Sequence, residues 1–133
     1  MDATPNTTPR AMTWAGWILT GLFVLFMVFD TVIKLIRLPV VGETLTGLGW
    51  PGELGFTIGV IELVILALYL TPQTAVLGAV LLTGLLGGAI ATHLRVGSPL
   101  VSHTLFGVYL GLMGWGGLWL RDARLRALFP ARH

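Results

Sequence analysis

The stretch AMTWAGWILTGLFVLFMVFDTVIK, residues 11–34, decides the fold class. Residues 11–29 carry no charge, and the run then closes on Asp30 and Lys34. About 20 apolar residues, rising 1.5 Å each, cross the roughly 30 Å of hydrocarbon in a bilayer. The stretch is long enough. It does not read as a cleaved secretory signal, because it exceeds a typical h-region and is preceded by Asp2 and two prolines. It also ends in Asp30-Thr31-Val32, without a small-x-small cleavage site.

Three more apolar runs follow. Residues 54–70 carry only Glu62, residues 74–92 are uncharged, and residues 98–120 carry only His103. The chain is 55% hydrophobic and 11% charged, with a mean hydropathy of +0.86. A soluble domain carries roughly 25% charged residues, so this composition does not suit water on every side. The sequence predicts an all-α integral membrane protein, an antiparallel bundle of four transmembrane helices at about 13–36, 52–70, 73–94 and 102–120. A disordered leader (1–12) precedes it and a basic juxtamembrane tail (121–133) follows. Residues 38–53 form the longest loop, punctuated by Pro39, Gly42, Gly47, Gly49 and Pro51. In the tail, Leu125, Leu128 and Phe129 would give a short basic helix one apolar side on the membrane surface.

Several function classes drop out. The chain has no cysteine, which removes disulfide exchange, thiolate catalysis and Cys-ligated metal. A net charge of +2 gives no basis for nucleic-acid binding. Four spans place both termini on one side, with Arg10, Arg121, Arg124, Arg126 and Arg132, against Lys34, Arg37 and Arg95 on the other. The positive-inside rule then puts both termini of this multi-pass membrane protein in the cytoplasm. Trp14, Trp17, Trp115 and Trp119 would share the cytoplasmic interface, and Trp50 would mark the outer one.

The polar residues within the apolar runs are the candidate site. A charge in hydrocarbon costs at least about 2.5 kcal/mol even on lenient scales, so each is a site hypothesis by default. Asp30 and Lys34 lie i,i+4 on one helix face and can pair; the alternative is that both are solvated at the interface. Glu62 has only apolar sequence neighbours and needs a base from another helix, with Lys34, Arg95 or a histidine available. His93 and Arg95 are two positions apart and face roughly opposite ways unless the helix unwinds near Gly97 and Pro99. His93 with His103 could form a metal or haem pair, yet two histidines without further ligands do not define one; hydrogen-bonded helix-end histidines come first, then a ligand contact or proton relay, and no metal centre is expected. The topology would converge Asp30, Lys34, Glu62, His93, Arg95 and His103 on one outward-facing cavity, floored by Glu62. Small-xxx-small spacing at Gly55/Gly59, Gly84/Gly88 and Gly107/Gly111 points to close helix packing and leaves room for a homodimer.

The segments FDTVIK (29–34), GVIE (59–62), TAVLGA (74–79) and GGAIATHLRVGSP (87–99) resemble the DoxX-like family of small bacterial four-helix membrane proteins. The resemblance covers roughly residues 14–126, and it implies a fold more than an activity. Relatives are linked to quinone-coupled oxidation of sulfur compounds and to membrane oxidoreductase complexes, and a distant animal relative assists receptor assembly. By this resemblance Lys34, Glu62, His93 and Arg95 match the recurrent polar positions. Thiol roles of some redox-linked relatives do not carry over to a chain without cysteine.

Three readings follow. In the first, the pocket binds a small lipophilic or anionic ligand, with a quinone as the candidate cofactor, for a membrane redox partner. Glu62 and His93 would then handle protons, while Lys34 and Arg95 would hold negative charge or carbonyl oxygen. In the second, the bundle is a non-catalytic assembly subunit or chaperone whose charges lock helices together. In the third, it is a small proton-coupled transporter. No catalytic residue is assigned, and any enzyme role would be as part of a quinone-linked oxidoreductase.

Overall fold

A computed structural model describes residues 8–132; residues 1–7 of the expected leader and His133 of the tail lie outside the described residues. All regular structure among those residues is helical, with no strand. Helix α1 spans Arg10–Leu35, α2 Pro39–Gly47 and α3 Leu54–Leu70. A single 3-10 turn, Pro72–Thr74, leads into α4, Ala75–Val96. A π-helical turn at Leu100–Thr104 precedes α5, Phe106–Arg121, and α6 spans Ala123–Leu128.

Helix α1 starts three residues earlier than the sequence pattern suggests. Pro9 (φ −56°) leads into it, and its carbonyl accepts from both the N–H and the Oγ1 of Thr13. The buried residues Gly16, Thr20, Phe23, Met27 and Thr31 recur at three- and four-residue spacing, so they share one face. The remaining faces carry large apolar side chains turned outward, including Trp14, Leu22, Leu25 and Phe29.

Helices α1 and α4 decide the surroundings. Arg10–Leu35 and Pro72–Val96 are each long and apolar enough to cross a membrane, yet only 22% of each apolar window is buried within the chain. A soluble protein's core helix would have that surface covered. Here it faces outward, which in water would be an extensive exposed apolar surface. The surroundings that fit are lipid.

Helix α1 packs on α3 and α5, and α4 packs on the same two helices, so the contacts close on themselves. The shared core holds Phe23, Met27, Ile65, Leu66, Tyr69, Leu82, Leu110 and Leu118. Phe23 meets Tyr69 edge-to-face at 5.1 Å, and the Tyr69 hydroxyl donates to the Gly114 carbonyl at 2.6 Å. That bond satisfies the one polar atom of a fully buried ring and ties α3 to α5. Glycines set the spacings. A Cβ on Gly16 would lie 2.8 Å from the Gly117 carbonyl, and one on Gly78 would lie 2.5 Å from the Tyr69 nitrogen. Where lipid gives no hydrophobic drive between helices, such close approach supplies the van der Waals contact.

The segment read as a long loop contains α2. Pro39 occupies the first helical turn, where its missing N–H costs nothing, and Val41 and Leu45 are four apart and buried. Val41 packs where a Cβ on Gly55 would otherwise stand. In α6, Leu125 is buried while Leu128 and Phe129 are exposed, and Arg126 donates to the Trp119 and Leu120 carbonyls. That arginine caps the orphan carbonyls at the end of α5.

Candidate functional site

Helices α1 and α3 approach closely at Gly59. A Cβ there would be 2.9 Å from the Lys34 Cβ, and this approach brings Lys34 within reach of Glu62, three residues further along α3. Lys34 Nζ donates to Glu62 Oε2 at 2.5 Å and also to Asp30 Oδ2, one turn back on its own helix. The Thr31 hydroxyl donates to Glu62 Oε1 at 3.2 Å. Glu62 is 3% exposed and Thr31 equally buried, whereas Lys34 and Asp30 are partly exposed. Each Glu62 oxygen therefore has a donor, as a buried carboxylate requires.

Two carboxylates share one ammonium, so the triad carries a formal charge of −1 when fully ionised. Lys34 uses two of its three donors within it and keeps one for another acceptor. Beside it lies a cavity of about 200 Å³ lined by Lys34, Arg37, Pro39, Val41, Glu53 and Phe56, among others. The Arg37 guanidinium stacks over the Phe56 ring at 4.6 Å from its centroid. Arg37 itself sits at φ 58°, the left-handed conformation that turns the chain from α1 towards α2.

The six expected site residues do not form one cavity. Asp30, Lys34 and Glu62 come together; His93, Arg95 and His103 do not join them through any hydrogen bond or ion pair among the described residues. Glu62 is buried against Lys34 and does not line the cavity beside that lysine. Helix α4 stays helical through Val96, so Arg95 is not swung inward and instead donates to the Leu48 carbonyl at 3.2 Å. Gly97, at φ 73°, ends the helix only after it. The Trp50 indole N–H donates to the Thr92 hydroxyl at 3.4 Å, so the α2–α3 connection is fastened to the end of α4 at two points.

His93 and His103 form a third group. Their rings meet edge-to-face at 5.9 Å, and each Nδ1 bonds a serine hydroxyl, Ser98 at 2.8 Å and Ser102 at 2.7 Å. Among the described residues no cluster of three or more His, Asp or Glu could hold a metal.

The sequence reading missed Thr31, although it lies three residues before Lys34 and therefore on the same face. It also missed Ser98 and Ser102, and the cavity wall from Arg37 to Phe56. The wall had no signal to find, because it depends on α2 folding back over α3.

The model of the DoxX-like family matches residues 18–117. The chain belongs to the DoxX-like family. No curated protein and no solved structure matches it. Family and exposed apolar helices together make it a small membrane protein. The matched region contains the triad, the cavity and both histidines.

Proposed function

We propose that this DoxX-like protein crosses the bacterial inner membrane four times, through α1, α3, α4 and α5, with both termini in the cytoplasm. Its triad and adjoining cavity bind the headgroup of a small lipophilic carbonyl compound, a quinone, for a membrane redox partner. The observation that carries the reading is a carboxylate–lysine–carboxylate triad, its Glu62 buried, whose Lys34 also lines a cavity walled by Arg37, Glu53 and Phe56.

The chemistry runs from the residues. The spare Lys34 donor suits a carbonyl oxygen at the cavity edge. One proton brings the triad to neutrality, so it can hold or release a proton beside that oxygen as the ring gains or loses charge. Phe56 and Arg37 offer a flat face. A cavity of about 200 Å³ suits a single ring, being smaller than the range for drug-sized ligands, and an isoprenoid tail would lie in lipid. Electrons would come from the redox partner.

The four-span arrangement is supported by basic residues gathered at one end, where Arg121 stacks on Trp17 at 4.1 Å and Arg126 on Trp119 at 5.8 Å. A titration with a short-tailed benzoquinone, followed by tryptophan fluorescence in detergent, tests the binding. The wild type should saturate at one quinone per chain, and Glu62→Gln and Lys34→Met should not. Equal quenching in all three would rule out binding at the triad.

A second reading rests on a different observation. Nothing lies within 4 Å of where a Cβ would stand on Gly84, Gly87 or Gly88, so α4 presents a smooth outer face. Another helix, from a second copy or from a redox partner, could dock there as in an assembly subunit.

A further inference from the structure

We propose that His93 and His103 form a two-imidazole site for copper, with Cu(I) the oxidation state that two nitrogen ligands satisfy. The geometry comes first. A metal–nitrogen bond of about 2.0 Å puts each ring centroid about 3.1 Å from the ion, so two rings on one ion sit about 5.1 Å apart when tetrahedral and about 6.2 Å apart when linear. The observed 5.9 Å lies between these values, on the side of a wide, bent two-coordinate arrangement.

The second observation concerns the other nitrogens. Each histidine has its Nδ1 engaged by a serine hydroxyl, His93 by Ser98 and His103 by Ser102. In the tautomer where Nδ1–H donates to the serine, the Nε2 lone pair is left for an ion. No protein partner is recorded for either Nε2 among the described residues. Metal-bound histidines commonly have this arrangement, with the distal ring nitrogen fixed by a hydrogen-bond partner.

The backbone holds the pair in place. Gly97 ends α4, the Ser98 N–H bonds back to the His93 carbonyl at 3.0 Å, and the π-helical turn at Leu100–Thr104 carries His103 back over the end of α4. Isolated π turns recur at functional sites.

The donor set selects the ion. Two imidazoles, with no third His, Asp or Glu grouped with them among the described residues, offer nothing to calcium or magnesium, which need several oxygens. Zinc prefers four ligands, and two would have to be water. Imidazole is a ligand copper takes, and closed-shell Cu(I) is satisfied by two nitrogen donors.

The test uses the full chain in detergent, purified without added histidines and with His133→Asn to silence the terminal imidazole. Under anaerobic reducing conditions it competes with a chromogenic Cu(I) chelator. One Cu(I) should be withdrawn per chain, and His93→Gln or His103→Gln should weaken this by at least about tenfold. Ser98→Ala and Ser102→Ala should each weaken it by about tenfold to a hundredfold. His103 is exposed, so its replacement gives a folded protein even if that of His93 does not. Quinone binding at the triad should be unchanged in His103→Gln, which separates the two sites. Failure of the wild type to take copper from the chelator would overturn the proposal. So would copper retained in His103→Gln, which would point to methionine thioethers instead.

Discussion

Lys34 of α1 and Glu62 of α3 meet at the turn where Gly59 removes the side chain that would hold the two helices apart. The ion pair and the glycine depend on each other. Without the close approach, a lysine at a helix end would extend towards water. Without the lysine, Glu62 would be a buried carboxylate with only a threonine hydroxyl for company.

Lys34→Met should therefore destabilise more than Glu62→Gln. Removing the base strands a buried charge, at a cost of roughly 3–5 kcal/mol. The glutamine remains neutral, can still accept from Thr31, and leaves Lys34 paired with Asp30. The double variant should recover part of the Lys34→Met loss. Thermal unfolding in detergent measures all three, and strictly additive losses would mean that the two residues do not interact.

Gly59→Ala should lower stability by about 1–3 kcal/mol, because the new methyl meets Lys34 and Leu35. Gly88→Ala is the matched control, since nothing stands within 4 Å of that position. A monomer should tolerate it. If Gly88→Ala instead dissociates an oligomer on a sizing column, α4 carries a helix interface.

The connection between α1 and α3 should loosen when its tie to α4 is cut. Arg95→Ala removes the donor to the Leu48 carbonyl, so amides from residues 39–53 should exchange faster with solvent while the melting temperature barely moves. A large drop in melting temperature would show that Arg95 belongs to the core of the fold.

Orientation can be read by labelling, because the chain has no cysteine of its own. Glu43 and Ala131 are both exposed, at opposite ends of the helices. In intact cells stripped of their outer membrane, Glu43→Cys should react with a membrane-impermeant maleimide. Ala131→Cys should react only after permeabilisation. The reverse pattern would invert the topology.

Much of this architecture was legible in residues 11–34 and their apolar counterparts, because the length and composition of a run report its surroundings directly. The pairing of Asp30 with Lys34 was legible from i,i+4 spacing. Glu62 was legible as a residue needing a base, but not which one, since that choice is made by Gly59 and the α1–α3 contact. Convergence of all six polar residues was a reasonable inference from topology, and it fails for a local reason: α4 keeps its helix through Val96, so Arg95 points to Leu48 and His93 turns to Ser98. Helix α2 was hidden by its glycines and proline, and it gains its stability from Val41 and Leu45 lying on α3.

Whether the triad and its cavity hold a quinone-like molecule can be read from a native mass spectrum of protein released straight from its own membranes. An adduct of defined mass, one per chain, should be present in the wild type and in Arg95→Ala and missing in Glu62→Gln. A wild-type spectrum with lipid adducts alone, identical to that of Glu62→Gln, would contradict that binding.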